Sequence, residues 1–322
     1  MQTTMPSTQY PLKDLPPGLF LEEGRLLYKY QHTTYELRPF PLEEKRIEEV
    51  YELSKQAGFD DTFEDWKQHL RLARFAYAFI DTETDRLITT GMAVVFDNRL
   101  VRIIDILTDH SHRNRGLAKT LLGYLLYLIS QDTNLESLEL EASALGSGLY
   151  EKFSFKTDYK IISYVRQPSP AASKNDEHQH IVDDDDLAGI IELDKKVCGF
   201  SRADLIRDTQ RSQIFVDKDQ QIKGFLFCLE DSCGVRIGPM VHTTADGACK
   251  LLRDSLLVIN NRDPLKKVYI HVPDFHPEEV LRTLKELGFT KDDNIQTNHM
   301  FRGVKIPRDR QCYFAIWSTN WS

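Results

Sequence analysis

The sequence predicts an α/β (α+β) chain of two tandem domains, each with a mixed, mainly antiparallel central sheet flanked by helices. Three observations predict it. Strand-like and helix-like periods alternate up to residue 166. The stretch Gln167–His180 is polar, carries two prolines and shows neither period, as linkers do. The pattern that precedes this break then recurs after it.

The elements follow in order. Residues 1–30 are set aside as an N-terminal extension. Thr33–Phe40 alternates as a strand does, and Leu42–Gly58 and Phe63–Leu72 carry helical spacing. Phe75–Asp81, Leu87–Phe96 and Leu100–Thr108 read as three successive strands, the last two joined at Asp97-Asn98-Arg99 by a polar hairpin turn. A long helix over about Arg115–Ser130 leads to a strand at Ser137–Glu141, which makes a parallel crossover. A short helix around Leu145–Phe153 and a strand at Tyr159–Arg166 close the first domain, 31–166. The second domain is then 181–322.

The recurrence has an offset of 133 to 134. Gly91-Met92-Ala93-Val94-Val95-Phe96, a turn, then Val101-Arg102-Ile103 reappears as Gly224-Phe225-Leu226-Phe227-Cys228-Leu229, a turn, then Val235-Arg236-Ile237. Leu149–Lys156 is echoed by Leu284–Lys291, with Phe155 and Phe289 in register. Two stretches that agree on one offset argue for tandem duplication. The copies differ where chemistry would sit: Arg113, Gly116, Ala118 and Tyr150 fall on Gly247, Lys250, Leu252 and Leu284.

Composition excludes more than it assigns. The 322 residues are 41% hydrophobic, enough for two cores, and the formal charge of −8 gives no support for nucleic-acid binding. No apolar run approaches a membrane span, and Met1–Gly18 lacks the apolar stretch of a secretion signal, so a cytoplasmic location is expected. Five cysteines, all beyond residue 197 and without Cys-x-x-Cys spacing, read as reduced thiols.

Arg113-Asn114-Arg115-Gly116-Leu117-Ala118 stands between the strand ending at Thr108 and the long helix. A basic loop opening a helix presents backbone N–H groups and a positive dipole end, which suit an anion such as a pyrophosphate. With the segment Asp105–Leu122 around it, this loop resembles the acyl-CoA-binding segment of the GNAT superfamily of N-acetyltransferases, with its Arg/Gln-x-x-Gly-x-Gly/Ala pattern. Gly148-Leu149-Tyr150-Glu151-Lys152-Phe153-Ser154-Phe155 is similar to the Leu-Tyr-Glu-Lys-Leu-Gly-Phe element of that superfamily. The resemblance covers 31–166 well and 181–322 weakly, as in a tandem protein whose second copy is degenerate. Ser154 departs from the usual glycine.

The resemblance implies acetyl-CoA as co-substrate. Arg113, Asn114, Arg115, Gly116, Leu117, Ala118 and Lys119 would bind the pyrophosphate, and Ile106, Leu107 and Thr108 would pair with the pantetheine arm as with an added strand. It also implies transfer of the acetyl group to a primary amine by direct attack in a ternary complex, since no cysteine lies near the loop. Tyr150 is the candidate acid, because a phenol of pKa about 10 can reprotonate a thiolate of about 8.5. Thr108 N–H is a candidate oxyanion donor. For the base, Asp105 ranks first and Glu141 second, with Asp109 or a water chain as alternatives.

Other residues have plainer readings. His110/His112 and His178/His180 have His-x-His spacing in a variable loop and in the linker, and no metal is expected. Asp183–Asp186 precedes an apolar helical pattern and reads as a helix N-terminus. Phe63, Trp66 and Phe75 either roof the acceptor pocket or fill the core. The acceptor is expected to be a cationic small-molecule amine or a protein lysine or N-terminus. The second domain is left with three roles: shaping that site, homodimerisation, or binding a regulator. A non-catalytic acyl-CoA sensor is the rival reading.

Overall fold

The computed structural model describes residues 15–59, 61–132, 134–168, 182–208, 212–231, 234–262, 264–318 and 320–321. The first repeat is built from β1 (Leu19–Glu22), β2 (Arg25–Tyr30), β3 (Thr33–Pro39), α1 (Glu44–Gln56), α2 (Phe63–Leu72), β4 (Ala73–Asp81), β5 (Leu87–Phe96), β6 (Leu100–Thr108), α3 (Leu117–Ser130), β7 (Ser137–Ser143), α4 (Ser147–Glu151) and β8 (Lys156–Arg166). The second runs α5 (Asp184–Cys198), α6 (Ala203–Arg207), β9 (Ser212–Lys218), β10 (Ile222–Asp231), β11 (Gly234–His242), α7 (Ala245–Arg262), β12 (Val268–Pro273), α8 (Glu278–Glu286), β13 (Thr290–Gly303) and β14 (Tyr313–Ala315).

Each expected element of the first repeat is present, and the residues set aside as an extension add the hairpin β1–β2. Among the described residues the chain forms two compact units, one from Met1–Phe59, Phe63–Val94 and Asp105–Thr133, the other from Asp60–Thr62, Val95–Ile104 and Asn134–Ser322. The compact units therefore divide the chain differently from the repeats. Most of the linker, with His178 and His180, lies outside the described residues.

In the first unit β1 to β5 pair antiparallel in chain order. Helix α3 presents Leu117, Leu121, Tyr124 and Leu125 to Tyr35, Leu37, Tyr77, Phe79 and Ile88 of the strands, because residues three and four apart share a helix face. Beside α3, a Cβ on Gly91 would lie 2.4 Å from both Ile106 and Leu121, so the helix packs directly on the strand backbone. Trp66 is wholly buried and donates from Nε1 to Ser54 Oγ at 3.3 Å, which fastens α2 to α1.

The second unit explains why units and repeats differ. Strand β6 runs parallel to β7 over Leu100–Arg102 and Ser137–Glu139, and β11 runs parallel to β12 over Val235–Ile237 and Val268–Ile270. Both are crossovers through the long helix of their copy, as expected. The strand after the short helix of each copy, however, lies beside the crossover strand of the other: β13 pairs antiparallel with β7 and β8, and β8 pairs antiparallel with β12. The strand order is thus β7-β13-β8-β12.

A buried charge network marks this exchange. Arg102 on β6 reaches Glu139 at 3.3 Å and Glu141 at 3.2 Å on β7. Arg308, just past β13, donates to Glu139 at 2.5 Å and to His299 Nε2 at 3.1 Å. The imidazole thus bridges Arg308 and Glu141, its Nδ1 lying 2.7 Å from Glu141 Oε1. Two arginines and two glutamates leave no net charge. Burial acts to raise the Glu139 pKa, but Arg308, His299 and Arg102 beside it outweigh burial and hold the carboxyl below its usual range.

Two stability predictions follow from these contacts. Glu139→Gln strands buried guanidinium charge and is expected to cost about 3–5 kcal/mol in urea unfolding. Because the folded pKa of Glu139 is depressed, its contribution is full above the unfolded value of about 4.3 and is lost as pH falls through the folded one, so the variant should show a shallower acid limb below about pH 4. Ser154 takes the left-handed position after α4 at φ 66°, where the matching residue of the second copy is Gly288 at φ 83°. Ser154→Gly should therefore stabilise by about 1 kcal/mol, read as a shift in urea midpoint at constant m-value.

Candidate active site

The loop between β6 and α3 is held by its own polar side chains. Asp109 Oδ1 accepts from Ser111 N at 2.9 Å and from Ser111 Oγ at 2.5 Å, with His112 Nδ1 at 3.2 Å, and so caps the 3-10 turn His110–His112. Burial acts to raise the Asp109 pKa, but these hydrogen bonds prevail and lower it. An ionised group engaged in this way is a capping residue rather than a proton acceptor.

The helix it leads to is open at its start. Gly116 occupies the N-cap at φ 85°, no side chain caps α3, and its first turn holds no acidic residue. The backbone N–H groups of Leu117, Ala118 and Lys119 lie in the first turn, before any i−4 carbonyl within the helix. Only glycine takes this position readily, and a Cβ there would also stand 2.6 Å from Tyr28 Oη.

Aromatic hydroxyls brace the loop from β2 and β3. Tyr28 Oη donates to the Arg115 carbonyl at 2.7 Å. Arg115 donates to Tyr35 Oη at 2.6 Å and to the Ser111 carbonyl at 2.9 Å, with its guanidinium 5.8 Å from the Tyr30 ring centre. Arg115 is thereby committed to holding the loop, while Arg113 reaches back to the Thr108 carbonyl at 3.4 Å. Sequence reasoning missed Tyr28, Tyr30 and Tyr35. Tyr28 and Tyr30 fall within the residues set aside as an extension, and Tyr35 lies on the predicted strand Thr33–Phe40 without having been singled out.

Asp105 lies inside β6 at φ 57°, an unusual conformation for an aspartate within a strand. Its carboxylate is buried, and Oδ2 stands 2.9 Å from His69 Nδ1 on α2. His69 is a second site residue that sequence reasoning did not single out, because only the fold brings α2 to this strand. Trp66 and His69 are ring neighbours at 5.7 Å, and Phe63 lies against Tyr51 at 6.1 Å, so the first two helices turn these aromatics toward each other.

Glu141 and Tyr150 belong to the second unit. Glu141 is buried in the network with Arg102 and His299 described above, a structural duty its sequence position did not reveal. Tyr150 is buried on α4, with its ring 6.1 Å from Phe155. Asp183 caps α5 by accepting from Asp186 N at 2.8 Å, as the acidic run suggested.

The structure therefore gathers Asp105–Thr108 and Arg113–Lys119 on one unit as a strand end, a braced loop and an uncapped helix start. No helix among the described residues is long and apolar enough to cross a membrane. A model of the GNAT acetyltransferase family matches residues 35–155, and a model of the GNAT acetyltransferase domain matches residues 190–315. A candidate acetyltransferase of Pyrococcus horikoshii is similar over 91% of this chain and 97% of its own, at 19% identity and a TM-score of 0.71. A GCN5-related N-acetyltransferase of Sphaerobacter thermophilus is similar over 86% of this chain and 98% of its own, at 12% identity and a TM-score of 0.62. At such identities the likeness is one of fold. Comparison with curated protein sequences found no match. A family match in each half, on mixed sheets with a crossover helix in each copy, makes the chain a member of the GNAT acetyltransferase family with two GNAT domains in tandem.

Proposed function

We propose that the protein is an acetyl-CoA-dependent N-acyltransferase whose first GNAT domain carries the acyl-donor site. The observation that carries this reading is the left-handed Gly116 opening an uncapped helix in a domain of acyl-transfer family. Bound acetyl-CoA would supply an acetyl thioester. Leu117, Ala118 and Lys119 offer N–H groups for its pyrophosphate, Arg113 adds positive charge beside them, and Ile106–Thr108 offers a strand edge for the pantetheine arm.

Amide formation needs a neutral amine, and an alkylammonium of pKa about 10.4 must first lose a proton. Asp105, oriented by His69, takes that proton directly or through water. Glu141 is already engaged by Arg102 and His299, which favours Asp105 over it. The GNAT resemblance gives Tyr150 Oη the role of returning a proton to the departing sulfur, and Thr108 N–H is the proposed oxyanion donor.

The amine attacks directly, without a cysteine acyl-enzyme. Burial pushes the Cys198 thiol up to about 12 and the Cys312 thiol up to about 11, and raises Cys228 further, so these described thiols are poor nucleophiles. The surplus of 49 acidic over 41 basic residues favours a cationic acceptor. A cytoplasmic setting suits reduced cysteines.

Release of free CoA from acetyl-CoA across an amine panel tests the reading. Turnover on at least one amine is expected, with Tyr150→Phe lowering kcat by about 10²–10⁴ while acetyl-CoA affinity persists. Binding without turnover on any amine would instead make the protein an acyl-CoA sensor. Gly116→Val should abolish acetyl-CoA binding in a folded variant, and unchanged affinity would remove the loop from the site. Asp105→Gly keeps the left-handed backbone and deletes the carboxylate. Its expected result is a folded enzyme without the acid limb of the kcat/KM profile, and an unaltered profile would exclude Asp105 as the base.

A further inference from the structure

The second copy retains the scaffold of an acyl-donor groove and fills it with its own chain. By the repeat offset, Ile106, Leu107 and Thr108 correspond to Met240, Val241 and His242 on β11. The parallel pairing of β11 with β12 stops at Ile237 and Ile270, as that of β6 with β7 stops at Arg102 and Glu139. At this point β14 joins β11, antiparallel, with Met240 opposite Ala315 and Val241 opposite Tyr313. His242 N donates to the Cys312 carbonyl at 3.0 Å, and Ile316 N donates to the His271 carbonyl of β12 at 3.0 Å. The C-terminal segment thus hydrogen-bonds to both strands where their mutual pairing has ended.

It is built into that place. Tyr313, Phe314, Ala315, Ile316 and Trp317 are all buried. A Cβ on Gly238 would lie 2.0 Å from the Ile316 carbonyl, so this close approach needs glycine. Arg202 forms two hydrogen bonds with Asp194 of α5, at 3.0 and 2.6 Å, donates to the Trp321 carbonyl at 2.7 Å, and faces the Tyr313 and Trp317 rings.

The anion end of the groove is sealed by separate contacts. His242 Nε2 lies 2.9 Å from Asp217, whose carboxyl that hydrogen bond holds below its usual pKa. His242 Nδ1 accepts from Thr244 N at 2.9 Å, and Thr244 Oγ1 accepts from Gly247 N at 3.2 Å. Two N–H groups at the start of α7, those of Thr244 and Gly247, are therefore taken by side chains of the protein, beside a carboxylate that would repel phosphate. A Cβ on Gly247 would collide with the His242 ring at 1.8 Å, so the imidazole occupies the space over this turn.

We infer that the second GNAT copy is closed to acyl-CoA because the segment Cys312–Trp317 takes the strand position of a pantetheine arm and His242 with Thr244 takes the place of its pyrophosphate. Each chain then binds one acyl-CoA. The inference rests on the proposed function only for the identity of the ligand the groove would otherwise hold.

Amide hydrogen exchange on the full chain, with and without acetyl-CoA, tests it alongside equilibrium dialysis. In the free protein, the amides of Met240–His242 and Tyr313–Ile316 should already be protected. At about 100 times Kd, acetyl-CoA should slow exchange at Ile106–Thr108 by up to roughly a hundredfold, leave the other two segments unchanged, and bind at about one per chain. Slowed exchange at Met240–His242 on adding acetyl-CoA, or faster exchange at Tyr313–Ile316, would overturn the inference. So would unprotected amides there in the free protein. Protected amides with no acetyl-CoA effect anywhere would support the closed groove and instead defeat the proposed function of the first copy.

Discussion

The placement of β13 between β7 and β8 is the constraint on which the second unit depends. A strand from the second copy completes the neighbourhood of a strand from the first, and β8 returns the arrangement by pairing with β12. Backbone N–H and C=O groups of four strands are satisfied only when both copies are present. The price of setting charges beneath this junction is met by mutual pairing of Arg102, Arg308, Glu139 and Glu141 around His299. Those residues lie far apart in sequence, so the network is also a check on register: a slip of one residue would turn Glu139, Glu141 and His299 to the opposite face of their strands.

The two copies apply one scaffold to opposite ends. In each, the crossover strands pair for three residues and then stop, and a long helix begins nearby. In the first copy the helix start is left without a side-chain cap and is braced from behind by Tyr28 and Tyr35. In the second, Thr244 N and Gly247 N at the start of the helix are taken by His242 and Thr244, and the strand edge by β14. A helix start that is satisfied internally has nothing left to offer an anion, whereas one held open by glycine does. The same comparison separates Asp105, buried against His69, from the corresponding position of β11, where Pro239 has no side-chain proton acceptor to contribute.

Local pattern made much of the first copy legible. The turn at Asp97 and Asn98, both left-handed at φ 48° and 52°, follows from residue types that tolerate that conformation, and α3 follows from a long apolar period. The hairpin β1–β2 was not legible, because four- and six-residue strands give too little alternation to separate from a loop. Within the candidate site, the loop was readable as a glycine-bearing basic turn. Its braces were not, since Tyr28 stands 87 residues from the carbonyl it holds and His69 stands 36 residues from Asp105.

The sequence by itself determined the elements of the first copy from β3 onward, the duplication, and the glycine-bearing turn that opens α3, because those depend on periods and turn residues that are local in the chain. Only the tertiary structure decided which carboxylates are engaged, which strands neighbour which, and what occupies the groove of the second copy. Glu141 ranked second to Asp105 in the sequence, and only the fold shows its side chain engaged by Arg102 and His299. Tyr313–Ala315 carried no reading from the sequence, and pairing with β11 makes it part of the sheet. Ion pairing, strand order and occupancy are set by residues that meet only on folding, and no local period carries their positions.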